Sequence, residues 1–123
     1  METQAGFERQ QGPAFVYRIS NVEEWKRAQE EGGLWGSQMD RDSGFVHLSS
    51  EEQVPATLKR FFVGREDIIL LKIDAAKLGA QLRFEDTTGH GVFPHFYGSD
   101  GEYHALPLAA ILQAEPITHE FRF

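Results

Sequence analysis

From Phe15 to Ser20 the side chains alternate: Phe15, Tyr17 and Ile19 fall on one face, Val16 and Arg18 on the other. That is the period of a β-strand. Val22, Trp25 and Ala28 then recur at helical spacing. Ser20 with Glu23 makes a capping-box pattern, Glu23 and Glu24 suit the positive end of a helix dipole, and Gly32 and Gly33 stop the run. The pattern predicts a helix over 21–31. Leu34 to Ser43 reads as a loop with Asp40, Asp42 and Gly44 as turn residues. Phe45 to Ser49 alternates again, placing Phe45, His47 and Ser49 on one face. Ser50 and Gln53 repeat the capping signal, Pro55 fits a first helical turn, and Val54, Leu58, Phe61 and Phe62 form an apolar stripe, so a second helix is expected over 51–63.

Ile68, Ile69, Leu70 and Leu71 are consecutive, which predicts a strand over 67–74 covered on both faces. Ala75 to Gly79 fits one short helical turn. Gln81 to Glu85 alternates, Leu82 and Phe84 against Arg83 and Glu85. Thr87 to Gly91 reads as a loop and Val92 to Gly98 as extended chain, because Pro94 biases Phe93 toward β geometry. Ser99 to Glu102 makes a turn. Tyr103–Leu106, Ala109–Ala114 and Ile117–Phe123 are further expected strands. About six strands and two main helices predict an α+β domain over 14–123, preceded by a polar tail over 1–13.

A chain of 123 residues fits one domain and buries enough surface for a core without staples. The sequence has no cysteine, which removes disulfides, thiol nucleophiles and thiolate metal sites. The N-terminus METQAGFERQQGP lacks the apolar core of a signal peptide. No apolar run approaches the roughly 20 residues that span a bilayer. A cytoplasmic protein with no membrane partner is therefore expected. The formal net charge of -7 disfavours nucleic-acid partners, which require a basic surface. It leaves room for a small nucleotide-like anion held by local arginines.

The segments YRIS, EEWKRAQEEG, SGFVHLSSEEQVPATLKRFF, IILLKIDAAKLGAQLRFED and FPHFYG, between Phe15 and Leu108, resemble a bacterial and plant family known as domain of unknown function nine-five-two. GFVHLS and FPHFYG are the most specific parts. That family is placed, by fold likeness, in the ADP-ribosyltransferase superfamily. The resemblance implies a split, mostly antiparallel β core with flanking helices and a cleft able to hold NAD as cofactor or substrate. Members often carry histidine after the tyrosine of the first strand, where this chain has Arg18; ADP-ribosyltransferases use either residue at the comparable position.

Cleaving a nicotinamide–ribose bond creates oxocarbenium character that a nearby carboxylate stabilises, and a pyrophosphate needs cationic or N–H donors. Glu85, sharing a strand face with Arg83, is the candidate catalytic carboxylate, although both also fit an exposed strand face with cross-strand partners. Arg18, on what reads as the polar face of its strand, would grip ribose or phosphate, or else be a strand arginine paired with a surface carboxylate. His47 and Ser49 would line the cleft; the alternatives are a core histidine and a helix cap. His95 would bond sugar or phosphate and Tyr97 would stack on a flat ring, the alternative being an aromatic core. Arg83 completes the ligand-binding set. The histidines lack metal-ligand spacing such as H-E-x-x-H, so no metal is expected. There is no G-x-S-x-G elbow. Two readings stand side by side: an NAD-dependent ADP-ribosyltransferase-like enzyme and a non-enzymatic module binding a nucleotide or other anion. An RNA 2'-phosphotransferase-like activity ranks below both because of the acidic charge.

Overall fold

The computed structural model describes residues 13–117. The expected tail, apart from Pro13, and the last expected strand, apart from Ile117, lie outside the described residues. The hydrophobic run predicted as a two-sided strand is β4 (Ile68–Asp74), the middle of a three-stranded antiparallel sheet between β1 (Phe15–Asn21) and β8 (Ile111–Pro116). Its register with β1 runs from Phe15 opposite Asp74 to Asn21 opposite Ile68, and its pairing with β8 is interrupted at Lys72/Ile73.

Both faces of this sheet are covered. Tyr17 and Leu70 face one way and pack with Val54 and Leu58 of α3 (Val54–Phe61). Val16, Ile69, Leu71 and Ile73 face the other way into the larger apolar cluster. That cluster takes Ala28 from α1 (Val22–Glu31), Leu34 from β2 (Gly33–Leu34) and Val46 from β3 (Val46–His47). It also takes Leu78 from α4 (Ala75–Leu78), Phe96 from β6 (Phe93–Phe96) and Leu106 from β7 (Leu106–Pro107), with Leu82 of β5 (Leu82–Glu85) packed against it. A second antiparallel sheet, in the order β3–β6–β5, therefore lies against the first with its apolar face inward, and β2 pairs with β7 in a two-stranded ribbon. The domain is α+β and its sheets are all antiparallel.

Several boundaries differ from expectation for local reasons. Helix α1 is capped by Asn21, whose side chain accepts from the Glu24 amide at 2.8 Å, and not by Ser20. Residues 34–43 are not all loop: α2 (Gln38–Ser43) forms there, because Ser37 donates both its N–H (2.6 Å) and its hydroxyl (2.9 Å) to Asp40. Gly44 closes α2 at φ 88°, the left-handed conformation glycine tolerates best. The second helix begins only at Val54, since residues 51–53 form a turn in which Ser50 and Gln53 bond each other through the Ser50 N–H (2.9 Å) and Gln53 N–H (3.3 Å). Strand 103–106 shrinks to Leu106–Pro107, and 109–114 becomes a 3-10 turn over Leu108–Ala110 followed by β8. The described residues thus form four α-helices and eight strands, against two main helices and about six strands expected. No helix among them is long and apolar enough to cross a membrane.

Leu71 is fully buried in the central strand, whereas Phe61 at the end of α3 is 64% exposed. Leu71→Ala is expected to cost about 2–5 kcal/mol in urea denaturation, and Phe61→Ser less than about 0.5 kcal/mol. Similar costs for the two would contradict this placement of the core.

Candidate active site

The apolar face of the β3–β6–β5 sheet is turned to the core, so strand alternation puts the intervening side chains on the other face. His47 on β3 lies directly opposite His95 on β6, and His95 lies directly opposite Arg83 on β5. The three form one row across the sheet. Tyr97, one residue past the end of β6, and Glu85, the last residue of β5, flank the row two positions away. Phe45, two positions before His47, stacks on the His95 ring at 4.0 Å and 21° and meets the Tyr97 ring at 5.3 Å. The two imidazoles are 5.6 Å apart edge to face.

Each imidazole is held by its own carboxylate. His95 Nδ1 lies 2.8 Å from Glu85 Oε1, and the Tyr97 hydroxyl donates to the same oxygen at 2.7 Å. His47 Nδ1 lies 2.8 Å from Asp40 Oδ1, which also accepts the His47 backbone N–H at 2.8 Å. Because these oxygens already accept from other donors, each Nδ1 is assigned as the N–H partner and each Nε2 carries the lone pair. Neither Nε2 has a hydrogen-bond partner among the described residues, although His95 is only 3% exposed. The Arg83 guanidinium lies 4.2 Å over the Tyr97 ring and makes no ion pair with a described residue.

Asp40 is fully buried, and it is held as tightly from the far side. Arg18 Nη1 donates to Asp40 Oδ1 (3.1 Å) and Nη2 to Oδ2 (2.8 Å). The same guanidinium forks onto Glu24 through Nε (3.0 Å) and Nη2 (2.7 Å), and its last donor goes to the His47 carbonyl at 2.9 Å. Ser20 adds a 2.5 Å bond to Glu24. All five arginine N–H groups are therefore spent inside the protein. Gly36 makes room for this arrangement, since a methyl group there would collide with the Asp40 carboxylate.

The electrostatics follow from these contacts. Burial opposes the Asp40 charge, but hydrogen bonds from His47 and the Arg18 cation outweigh it and hold the carboxyl well below the usual range. Burial likewise opposes the Arg18 charge, and Glu24 and Asp40 overcome it, so the arginine stays a cation. His95 keeps Glu85 below the ordinary carboxylate value by hydrogen bonding, with Tyr97 and Arg83 adding to the effect. Burial lowers the His95 imidazole, Glu85 works against that, and the His47 ring adds to it. The Tyr97 phenol is pushed up to about 12 by burial first and then by Glu85. At neutral pH the face thus presents a neutral His95, an ionised Glu85 and a protonated Tyr97.

Of the residues singled out from sequence, His47, Arg83, Glu85, His95 and Tyr97 converge on this face. Arg18 does not reach it: it stands behind Asp40 with no donor left for a ligand. Ser49 is buried and pairs with Tyr17 through backbone bonds of 2.7 and 2.8 Å, and it does not cap α3, whose N-cap is Gln53 without a side-chain capping bond. Asp40 and Glu24 were read as a turn residue and a helix-dipole residue, and both prove central. The Ser37-x-x-Asp40 spacing carried a capping-box signal for Asp40; nothing in the local sequence marks Glu24 as an arginine partner. A hollow of about 620 Å³ elsewhere, whose lining includes Pro55, Leu58, Phe62, Arg65, Ile68 and Ile117, contains none of these groups. Among the described residues no group of three or more His, Asp or Glu is arranged to hold a metal ion.

Residues 19–114 match the family model described as "Protein of unknown function (DUF952)". The chain belongs to the DUF952 family. The crystal structure of CC0527 from Caulobacter crescentus, a structural genomics target, is similar at 31% identity and a TM-score of 0.72, covering 83% of this chain and 84% of that one. The solution NMR structure of CC0527 gives 31% identity and a TM-score of 0.71, covering 85% and 84%. No curated protein matches the chain. The DUF952 fold, α+β with antiparallel sheets, is therefore shared with an experimentally determined relative.

Two outcomes test this geometry. Asp40→Asn removes one partner of a buried ion pair and is expected to cost about 3–5 kcal/mol by urea denaturation. Because the folded Asp40 carboxyl lies below its unfolded value of 3.8, the unfolded chain takes up the proton first as pH falls. Its stabilisation is complete above that value and is lost as pH drops through the folded one. The variant should therefore show a shallower acid-side decline than the wild type, and parallel declines would remove Asp40 from the account. By NMR, the His95 ring should titrate below 6.5. It should move further down in Glu85→Gln, since the carboxylate is what raises it; an upward move would mean the Glu85 contact is absent in solution.

Proposed function

We propose that the polar face of the β3–β6–β5 sheet is a small-molecule site in which His47 and His95 hold and transfer protons on an anionic, nucleotide-type ligand, with NAD the first candidate. The observation that carries this reading is the pairing of two adjacent imidazoles. Each is backed at Nδ1 by a carboxylate and has no described partner at Nε2. A carboxylate on one nitrogen fixes the tautomer and supports positive charge on the ring, which is what a general base or acid requires. A buried imidazole nitrogen without a partner costs stability in a purely structural core. Arg83, without an ion pair among the described residues and steadied on Tyr97, supplies the cation for a phosphate.

NAD cleavage fits these groups in a definite way. Glu85 Oε1 is committed to His95 and Tyr97, while Oε2 has no described hydrogen-bond partner and remains to face a developing oxocarbenium charge. Arg83 takes the pyrophosphate, and the half-buried Tyr97 provides the ring for a flat heterocycle. On this reading the protein is an ADP-ribosyltransferase-type enzyme. The same groups without turnover make it a nucleotide-binding module.

NAD at about a hundred times its dissociation constant should stabilise the fold by ~2.7 kcal/mol in thermal denaturation. Arg83→Ala and His95→Ala should abolish that shift while the proteins remain folded. Free nicotinamide released by the wild type identifies the enzyme, and binding without release identifies the module. If NAD, ADP-ribose and inorganic phosphate at millimolar concentration all leave the melting temperature unchanged, the site proposal fails.

A further inference from the structure

We infer that Arg18 is a positioning residue that holds Asp40 as a hydrogen-bond acceptor, so that His47 presents its free nitrogen at Nε2. The inference rests on the acid–base reading of the site, but it assigns a role to a residue that meets the ligand face only through the His47 backbone carbonyl. Three observations carry it. Arg18 has no donor to spare, with two bonds to Glu24, two to Asp40 and one to the His47 carbonyl. It grips both the Asp40 carboxylate and the backbone of the residue that Asp40 orients. Asp40 itself is fully sequestered from solvent, and Arg18 is the cation that contacts both of its oxygens.

The physical alternative is concrete. Without the guanidinium, a buried Asp40 is stabilised in its neutral form. A carboxylic acid can donate, whereas a carboxylate can only accept. A protonated Asp40 would donate to His47 Nδ1, the ring proton would move to Nε2, and the nitrogen turned toward the site would change from acceptor to donor. Ser37 bonds only Oδ2, so it does not by itself forbid a proton on Oδ1. The charged and titratable groups that bear on His47 are Asp40, with Arg18 and Glu24 behind it, and His95 across the strand pair. Of these, Arg18 is the cation in contact with Asp40. Glu24 anchors the opposite edge of the guanidinium, so the order Glu24–Arg18–Asp40–His47 fixes a ring on the second sheet from a strand of the first.

The tautomer is read directly from the ring nitrogen shifts of His47 in nitrogen-15 NMR, at mildly alkaline pH where free imidazole is neutral, and no ligand is required. The wild type should show the Nδ1–H form in at least about tenfold excess, as one hydrogen bond to a charged group dictates. Arg18→Lys keeps a cation but offers at most three donors, and should reduce that excess while leaving the His95 shifts in place. The charge-balanced double variant Arg18→Gln with Glu24→Gln should bring the Nε2–H form to dominance. A purely structural arginine would lower stability in these variants without moving the His47 tautomer. An Nε2–H form in the wild type, or an unaltered Nδ1–H excess in either folded variant, overturns the inference. Ligand titrations of the same proteins stand apart: absence of NAD or phosphate binding in the wild type, with the tautomer as stated, would sink the proposed function and leave the relay intact.

Discussion

The structure depends on one buried cation. Arg18 sits on the face of β1 that turns into the larger core, and there a guanidinium is tolerable only if every donor finds an acceptor. Glu24 from α1, Asp40 from α2 and the His47 carbonyl from β3 meet that demand. Three separate elements from the first half of the chain are thereby drawn to one point. Apolar packing would bring the two sheets together in any case, but it is non-directional. The fork geometry of the guanidinium sets where α2 lies relative to β3, and so where the Asp40 carboxylate meets the His47 ring.

The polar face has a division of labour that follows from this. One dyad, Glu85 and His95, hangs between two strands of the same sheet and is shaped by local pairing and by Tyr97. The other, Asp40 and His47, is shaped by the cation behind it. The two imidazoles stand side by side yet answer to different parts of the fold. Their environments are separately adjustable, which is what an acid–base pair with distinct tasks requires.

Strand alternation made much of this legible in advance. The two-sided character of Ile68–Leu71, the shared face of Phe45 and His47, of Arg83 and Glu85, and of His95 and Tyr97 all follow from a period of two. The failure at Arg18 has an equally plain cause. Alternation showed that Phe15, Tyr17 and Ile19 share a face, and the opposite face was taken to be polar. In fact that face is also buried, and its arginine is satisfied by carboxylates six and twenty-two residues away. Sequence shows that a buried arginine must have partners; it does not show which acidic residues the fold will bring. Asp40 was hidden for a related reason: an Asp near a glycine looks like turn chemistry, and only the tertiary structure reveals a carboxylate with no solvent contact.

β3 pairs with β6 at only two positions, Val46 opposite Phe96 and His47 opposite His95. One further backbone bond, from Leu48 N–H to the Pro94 carbonyl at 3.0 Å, extends that ladder, whereas in the other sheet β1 pairs with β4 over seven rungs. Free energy for opening is distributed unevenly in proteins, and thinly paired segments part first. At this junction the burial of Val46, Leu48 and Phe96 supplements the few backbone bonds. The distance between the two histidines is consequently set less by strand pairing than by the carboxylates that clamp each ring from its own side.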